Sequence, residues 1–241
     1  MDKVSILIPT YNRPYLLPLF LLNCMHIDYP KELLEIVILD DGDIPFIGAE
    51  LRDLVSQKLG IPIKYIYNKE RHMTIGEKRN KLVKYASHNT LAFMDDDDLY
   101  NPAYIRHSVE TLKNNKVGLV GSNAMIFCFI EDDFILRGMK CEGLNQIHEA
   151  TMVFTKKFFK SMGGFGLTSK GEGGTFLKDT SNVALSDINK LMICCCWENN
   201  TIDKSIFKDD QFKVASDKLL DGAHKDLLKE IMILKKSEDI V

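Results

Sequence analysis

The sequence predicts an α/β fold in which helices flank a mostly parallel β-sheet. Short apolar runs rich in β-forming residues occur at 4–8 (VSILI), 35–39 (EIVIL) and 91–94 (LAFM). Each run stops at polar residues, and apolar residues with helical spacing lie between the runs. Strands that alternate with helices in this way are typical of parallel βαβ units.

Three helices and one further strand complete the first half of the predicted fold. Pro14 suits the first turn of a helix, Gly60 and Pro62 end a second helix, and Gly76 is the predicted start of a third. The alternating run at 62–67 (PIKYIY) predicts a strand between the second and third helices. The apolar positions are Leu16, Leu17, Phe20, Leu21 and Cys24 in the first helix, Leu51, Leu54, Val55 and Leu59 in the second, and Leu82, Val83 and Ala86 in the third.

The second half of the chain predicts mixed α+β structure packed on the first half. Strands are predicted at 123–130 (NAMIFCFI), 134–139 (FILRGM) and 151–155 (TMVFT), and glycines stop a helix within 156–165. Residues 208–232 carry apolar side chains at three- or four-residue steps, which predicts one or two amphipathic helices. These side chains are Phe212, Ala215, Leu219, Ala223, Leu227 and Ile231.

The composition is that of a folded protein without a nucleic-acid-binding surface. Of 241 residues, 45% are apolar and 27% charged, and the formal net charge is -3 without a basic stripe. We therefore expect one domain spanning 1–241 and no nucleic-acid partner. No signal-peptide pattern or long apolar stretch occurs, so no membrane span and a cytoplasmic location are expected. The six cysteines lack disulfide or zinc spacing, which predicts reduced thiols, with 194–196 at the buried end of a strand.

Carboxylates concentrate where two of the predicted strands end. Asp40 and Asp41 follow the strand at 35–39, and the acidic run 95–98 (DDDD) follows the strand at 91–94. Ligands bind beyond the carboxyl ends of the strands in open α/β sheets, so we expect these groups to line one binding edge. The Asp-x-Asp spacing of Asp95 and Asp97 favours Mg²⁺ or Mn²⁺, which prefer oxygen ligands and leave positions open for phosphates. The alternative interpretation of the acidic run is a solvated turn.

Four segments together resemble a known family. VSILIPTYNRP, EIVILDDGD, GEKRN at 76–80 and FMDDDDLYNP occur in the order and spacing of the nucleotide-sugar glycosyltransferases of the GT-A fold, especially family 2. The resemblance covers residues 4–102. It implies a Rossmann-like sheet and an inverting transfer of a sugar from a UDP- or GDP-sugar to a glycan, lipid-linked or protein-linked hydroxyl. In these terms 1–102 is the nucleotide-sugar-binding half, 103–198 the acceptor-side half and 199–241 a C-terminal helical extension.

The resemblance also assigns residues to the donor pocket. It implies that Tyr11 lies against the base, that Asp41 accepts a hydrogen bond from the base, and that Arg79 lies near the ribose and diphosphate. The alternative for Tyr11 is a tyrosine in an ordinary strand-to-helix turn, and the alternative for the DDGD segment that contains Asp41 is a simple turn. Lys78 is a second phosphate contact or a solvated lysine, and the solvated interpretation is favoured. The full predicted nucleotide-sugar set is Pro9, Thr10, Tyr11, Asp41, Arg71, Arg79, Asp95 and Asp96.

The acidic run then corresponds to the metal motif of the family. Asp97 is predicted to bind the Mn²⁺ or Mg²⁺ that bridges the donor phosphates, and Asp95 to contact the ribose or a metal-bound water. Strand-like alternation would turn Asp96 towards solvent, and Asp98 is expected to orient the backbone or Arg79. The third metal ligand that the resemblance implies is a histidine, but the comparable segment CCCWENNTID contains none, so Glu198 or water would take its place. Trp197 in the same segment either belongs to the core or flanks acceptor sugars.

Glu172 in GEGG is the candidate general base. In the family the acid is usually paired with a neighbouring aspartate, whereas this sequence has Gly173. Glu172 could instead simply begin a helix, where negative charge is favourable. Asp179 is the reserve candidate, followed by Glu149 and Glu131.

Two other functions compete with glycosyl transfer. A sugar nucleotidyltransferase would need a glycine-rich phosphate-binding loop, and PTYNRP contains no glycine. A catalytically silent protein that binds sugar nucleotides would keep the pocket without the base.

Overall fold

The computed structural model describes residues 1–178, 180–197, 204–208 and 220–238. Eleven strands lie within the described residues: β1 Val4–Thr10, β2 Leu34–Asp40, β3 Ile63–Tyr67, β4 Thr90–Phe93, β5 Leu99–Tyr100, β6 Leu119–Gly121, β7 Ala124–Phe129, β8 Ile135–Lys140, β9 Val153–Thr155, β10 Val183–Leu185 and β11 Met192–Cys196. The α-helices of the same residues are α1 Leu17–His26, α2 Arg52–Leu59, α3 Ile75–Tyr85, α4 Tyr104–Asn115, α5 Lys156–Met162, α6 Glu172–Phe176 and α7 Gly222–Glu238.

The main sheet confirms the predicted α/β class. Its seven strands run in the order β10-β6-β9-β4-β1-β2-β3, and every neighbouring pair is parallel except the two pairs that include β9. The predicted strands at the start of the chain form its centre. Because β1 is covered on both faces, its apolar run is continuous: Ile6 and Ile8 enter one hydrophobic cluster and Leu7 enters the other.

The register of the central strands brings the predicted binding residues to one edge. Thr10 at the end of β1 pairs with Asp40 at the end of β2, and Leu7 pairs with Phe93 at the end of β4. The three strands are parallel, so the residues that follow them emerge at the same edge. The arrangement predicted for Asp41 and for the acidic run is therefore confirmed at the level of the backbone.

A smaller sheet has four strands. Its order is β5-β11-β7-β8, with β11 parallel to β7 and antiparallel to β5. The cysteine run ends β11 as predicted, and residues 194–196 are buried with free thiols. The pairing of Ile193 with Leu99 joins this sheet to the segment that follows the acidic run.

The start of α3 differs from the prediction. The helix is capped by Thr74, which accepts a hydrogen bond from the backbone N–H of Glu77, while the Glu77 side chain accepts one from the Thr74 N–H. This capping box makes Gly76 an internal residue rather than the first one. Gly76 is needed for close packing instead, because a Cβ there would lie 1.7 Å from the carbonyl oxygen of Gly166.

Aromatic side chains attach α6 and the segment before it to the main sheet. The rings of Phe165 and Phe176 stack with their centroids 4.1 Å apart, and Phe165 meets Phe93 edge to face at 5.4 Å. Since Phe93 ends β4 and Phe176 ends α6, these contacts fix the start of α6 beside the acidic run. Ring pairs of this geometry each add about 0.5–1.5 kcal/mol beyond area burial.

The C-terminal helix α7 packs on α1 through buried Leu228 and Ile231. It lies partly within the predicted helical region, but Ala223 is exposed rather than buried. The predicted apolar residues Phe212, Ala215 and Leu219 lie outside the described residues. Within the described part of the chain, no helix combines the length and the apolar character needed to cross a bilayer.

Candidate active site

A cleft lies at the carboxyl ends of β1 and β4. Its wall includes Pro9, Thr10, Tyr11, Arg13, Lys78, Arg79, Asp95, Asp96, Asp97, Asp98, His148, Glu149, Glu172, Cys194 and Lys204. Most residues assigned to the donor and to the base by the sequence thus share one surface. Asp41 lies beneath this surface with a fully buried side chain.

A tyrosine and a buried ion pair form one end of the cleft. Asp41 pairs with the ammonium of Lys78 and accepts a hydrogen bond of 2.6 Å from the N–H of Met73. Lys78 also donates to the carbonyl of Thr10 at 2.9 Å. Tyr11 is 39% exposed, and its ring centroid lies 4.3 Å from that of His72. Tyr11 and Lys78 both belong to the cleft wall, and the Lys78 ammonium lies 5.2 Å from the centre of the Tyr11 ring, so this part of the cleft offers an aromatic ring and a cation to a ligand.

The interpretation of Lys78 as a solvated residue is wrong. It is 4% exposed, and burial lowers its pKa although Asp41 opposes that change. The helical position of Lys78 directs it under the cleft, where the unpaired carboxylate of Asp41 would otherwise be costly.

Asp40 has a structural role, in contrast to Asp41. Its carboxylate accepts hydrogen bonds from the N–H groups of Gly42 and Phe46, at 2.9 and 2.8 Å, and from the hydroxyl of Tyr65 at 2.5 Å. These bonds fix the turn after β2. The two neighbouring carboxylates of DDGD therefore divide into one that shapes the turn and one that lies under the cleft.

Each carboxylate of the acidic run has its own partner. Asp95 binds the guanidinium of Arg79 with both oxygens, at 3.3 and 3.1 Å. Asp96 and Asp97 share one nitrogen of Arg13, at 3.0 and 2.9 Å. Two arginines thus offset much of the like-charge repulsion within the run.

Asp96 and Asp98 are both buried. The expectation that Asp96 faces solvent is wrong, because it is 3% exposed and accepts a hydrogen bond of 2.5 Å from the hydroxyl of Thr10. Asp98 accepts from the N–H of Cys195 at 3.0 Å. It orients the backbone, as one of its predicted roles states, and Arg79 is held instead by Asp95. Trp197 is buried and donates to the carbonyl of Asp97 at 3.0 Å, which assigns it to the core.

Burial dominates the electrostatics of the run. Burial raises the pKa of Asp96 to about 6, with Arg13 opposing and Asp97 adding to the rise. Burial also raises the pKa of Asp98 well above its usual range, and the neighbouring Cys194 and Asp97 contribute. For Arg13 burial lowers the pKa, but Asp97 and Asp96 outweigh that effect, so the guanidinium stays charged.

The described residues fit a cation that arrives with a phosphate ligand rather than one held by protein alone. No three carboxylate, imidazole or thiol groups converge on a common point within the described ranges. The side chains of Asp95 and Asp97 retain 20% and 13% exposure and face the cleft. In enzymes that bind phosphate-containing substrates, Mg²⁺ is usually held by one or two carboxylates, and phosphate oxygens and water complete its coordination.

Glu172 begins α6 and also belongs to the cleft wall. It is 5% exposed, and Arg79 Nε lies 3.4 Å from its Oε1. The same guanidinium stacks on the ring of Phe93 at 4.5 Å, so Arg79 joins Glu172 to Asp95 from a fixed position. Burial raises the pKa of Glu172, Glu149 raises it further, and Arg79 opposes both.

The remaining candidates fall in different places. Glu131 is exposed in the turn between β7 and β8, outside the cleft wall. Arg71 is also exposed and pairs with Glu77 at 2.6 Å, at the start of α3 and not in the cleft wall. Asp179 and Glu198 lie outside the described residues.

Sequence reasoning missed three residues of the cleft. Arg13 lies in PTYNRP, where its position after β1 was the available signal. His148 carries a buried Nδ1 that has no hydrogen-bond partner among the described residues, and burial together with Lys204 lowers its pKa to about 4. Lys204 lies 2.9 Å from the sulfur of Cys194. Neither His148 nor Lys204 belongs to a recognisable motif, and only the fold brings them to the acidic run.

The four motifs are parts of a longer family match. The sequence profile described as "Glycosyl transferase family 2" matches residues 5–167, more than half of the chain. The chain belongs to glycosyl transferase family 2. It is 30% identical to chondroitin synthase of Escherichia coli over 127 residues, which are 52% of this chain and 18% of that protein. The chain spans less than half the length of the curated relatives it matches.

Solved structures of glycosyltransferases share the fold. TarS 1-349 of S. aureus in complex with UDP-GlcNAc gives a TM-score of 0.62 at 15% identity, with 95% of this chain and 71% of that chain covered. The mannosyltransferase PcManGT of Pyrobaculum calidifontis, in complex with GDP-Man and Mn²⁺, gives 0.56 at 17% identity, with 85% and 58% covered. The GT-A fold implied by the sequence is therefore confirmed.

Proposed function

We propose that this chain transfers a sugar from a nucleoside-diphosphate donor to an acceptor hydroxyl with inversion, and that it uses Mn²⁺ or Mg²⁺. One observation carries the proposal. Arg79 joins the acidic run, through Asp95, to Glu172, a buried glutamate in the wall of the same cleft. This arrangement supports a site in which a bound diphosphate lies close to a group that can remove a proton, as a displacement at an anomeric carbon requires.

The donor nucleotide belongs at the end of the cleft formed by Tyr11. The base stacks on the tyrosine, and Asp41 with Lys78 supplies polar recognition beside it. Pro9 and Thr10 line the pocket, and Asp96 acts from beneath it by fixing Thr10. Two structures of the same fold are bound to UDP-GlcNAc and to GDP-mannose, which supports a UDP- or GDP-sugar as donor. Arg71 completes the proposed set by reaching the base after it leaves Glu77.

Glu172 acts as the general base. The acceptor hydroxyl gives its proton to a carboxylate oxygen of Glu172, the acceptor oxygen bonds to the anomeric carbon, and the bond from that carbon to the diphosphate breaks on the opposite side. The nucleoside diphosphate leaves with the bonding electrons. A carboxylate whose pKa is raised by burial holds the proton better than an ordinary surface glutamate.

Asp97 and Asp95 would hold the divalent cation. When bound, the cation neutralises the charge of the departing diphosphate. Arg79 is fixed within reach of the same phosphates by Asp95 and by the ring of Phe93. Its planar donors suit phosphate oxygens.

The acceptor is proposed to be a glycan, lipid-linked or protein-linked hydroxyl, and the chain to work in the cytoplasm as one catalytic domain over 1–241. A sugar-nucleotide-binding protein without turnover is the second candidate. The observation that favours it is Gly173, which leaves no carboxylate side chain beside Glu172.

Nucleotide release tests the proposal. UDP-GlcNAc and GDP-mannose are incubated with the protein and Mn²⁺, and release of UDP or GDP is measured with water as acceptor. Asp97→Asn should reduce release by about 100-fold or more, in the range found for groups that stabilise developing charge. The control is Asp53→Asn, an exposed aspartate outside the cleft. Full release by Asp97→Asn with intact folding contradicts the metal role, and the anomer seen by NMR decides inversion.

A further inference from the structure

The start of α6 has one carboxylate side chain, that of Glu172, followed by Gly173, which has no side chain. Glu172 is the first residue of the helix and Gly173 the second, and neither has a positive φ. Gly173 is therefore not required by its backbone conformation. The reason for a glycine must lie in what surrounds position 173.

The space beside Gly173 is filled by another glutamate. Glu149 belongs to the short 3-10 turn Glu149–Thr151 that precedes β9. Its Oε1 accepts a hydrogen bond of 2.9 Å from the N–H of Gly173. A Cβ at position 173 would lie 2.2 Å from that oxygen, 2.7 Å from Cδ and 2.8 Å from Cγ. The carboxylate of Glu149 thus occupies the place that a side chain at 173 would take.

Glu149 faces the same chemistry as Glu172. Both residues are part of the cleft wall, beside Asp95 and His148. The negative charge of Glu149 raises the pKa of Glu172, and together with Asp95 and Glu172 it raises the pKa of Arg79 against the effect of burial. The guanidinium of Arg79 therefore contacts two carboxylates, Asp95 and Glu172, and the charge of Glu149 acts on it as well.

We infer that Glu149 is the second carboxylate of the acceptor site, delivered from the turn before β9 into the space that Gly173 leaves open. The inference rests on the proposed transferase function. Glu172 takes the proton of the attacking hydroxyl, and Glu149 accepts a hydrogen bond from the acceptor while its charge favours proton uptake by Glu172. The ligand that it contacts is a hydroxyl group of the acceptor.

The competing explanation is that Glu149 only caps α6. A cap needs an oxygen that accepts from the Gly173 N–H, and a glutamine amide oxygen supplies one equally well. Glu149→Gln therefore keeps the capping bond and removes the charge. The matched control is Glu131→Gln, the same change at an exposed glutamate outside the cleft.

Release of nucleotide from UDP-GlcNAc and GDP-mannose, with Mn²⁺ and water as acceptor, separates the two explanations. Glu149→Gln should lower kcat at least about tenfold, while Glu131→Gln stays within about twofold of the unchanged chain. The acid limb of the kcat profile should move to lower pH, because Glu172 loses the neighbour that raises its pKa. An unchanged rate and profile in Glu149→Gln would leave only the cap and overturn the inference.

A second cycle tests the placement without any turnover. Gly173→Ala should lower Tm in the unchanged chain, since the new Cβ displaces the Glu149 carboxylate. In the Glu149→Ala background the same change should raise Tm, because the space is empty and alanine favours a helix. Additive Tm changes would overturn the placement.

A turnover experiment complements this cycle. The double variant Glu149→Ala/Gly173→Asp should release nucleotide at least about fivefold faster than Glu149→Ala, because the side chain at position 173 then supplies the missing carboxylate.

The outcomes also separate this inference from the function beneath it. If the unchanged chain releases nucleotide from neither donor, the proposed transferase function fails, and the acceptor role of Glu149 fails with it. If the unchanged chain turns over and Glu149→Gln does so equally well, only the role of Glu149 fails.

Discussion

Replacing Gly76 by alanine should loosen the contact between α3 and the backbone at Gly166, in the segment that leads to α6. Gly76 lies in the first turn of α3, two residues before Lys78 and three before Arg79. Its N–H donates to the carbonyl of Thr168 at 2.9 Å, and a Cβ would lie 1.7 Å from the carbonyl oxygen of Gly166. The backbone that includes Gly166 continues directly to α6, so the perturbation reaches both halves of the site.

The expected cost follows from these distances. Separating the Cβ from the oxygen to a normal contact of about 3.5 Å requires a backbone movement of more than about 1 Å. Overpacking of this kind costs about 1–3 kcal/mol, and loss of the Thr168 hydrogen bond adds about 1 kcal/mol. Alanine returns about 1 kcal/mol of helix propensity. Gly76→Ala should therefore lose about 1–3 kcal/mol of unfolding free energy.

The assay is urea denaturation beside a matched glycine. Gly174 is also helical, but no atom of the described part of the chain lies within 4 Å of a Cβ placed there. Gly174→Ala should therefore gain up to about 1 kcal/mol. A chain with Gly76→Ala that is as stable as the unchanged one, or more stable, would refute the claim that this glycine exists for close packing. In the predicted case, nucleotide release should also fall, because the backbone beside Glu172 moves.

Three further changes test the charges of the site. Lys78→Met should cost about 3–5 kcal/mol in urea denaturation by leaving Asp41 buried without its cation, and a loss under about 1 kcal/mol would contradict the buried pair. Arg13→Gln should tighten Mn²⁺ binding in the absence of donor, measured by EPR, because the carboxylates of the acidic run lose their competing cation; weaker binding would contradict this. His148 has a folded-state pKa of about 4, below the ordinary value of 6.5, so its contribution to stability is present above pH 6.5 and is lost as pH falls towards 4. His148→Gln should flatten the dependence of Tm on pH between those values, and the stability that His148 contributes has an upper limit of about 3 kcal/mol. An unchanged slope would contradict the burial of a neutral imidazole.

The fold could be predicted because its strands and turns depend on local signals. The central strands are apolar on both faces and are bounded by polar residues, so their limits differ from the prediction by one or two residues. Parallel pairing then places the residues that follow them at one edge. The exception is the start of α3, where the glycine predicts one boundary and the Thr74–Glu77 capping box, which is also legible in the sequence, sets another.

The charge partners could not be predicted in the same way. Arg13 is separated from Asp97 by 84 positions, and Arg79 from Glu172 by 93. Such pairs depend on which face of a helix or turn meets the sheet edge, and one sequence does not encode that choice locally. For the same reason, alternation along the acidic run suggested a solvent-facing Asp96, whereas the segment after β4 leaves the strand and turns that residue under Thr10.

The charge balance of the cleft indicates how donor and acceptor chemistry are connected. Arg79 is buried and cannot lose its proton, so its attraction for carboxylates is divided between the acidic run and the acceptor end. In the proposed reaction a diphosphate and a cation would engage Asp95, so that side of the guanidinium would gain phosphate partners, and its hold on Glu172, already long at 3.4 Å, would weaken further. A weaker hold raises the proton affinity of Glu172. The pKa of Glu172 should therefore be higher with the donor bound than without it, and the acid limb of turnover should follow the higher value. NMR titration of the Glu172 carboxyl carbon, with and without donor, measures both pKa values. An identical pKa in both states would show that Arg79 holds the two carboxylates independently.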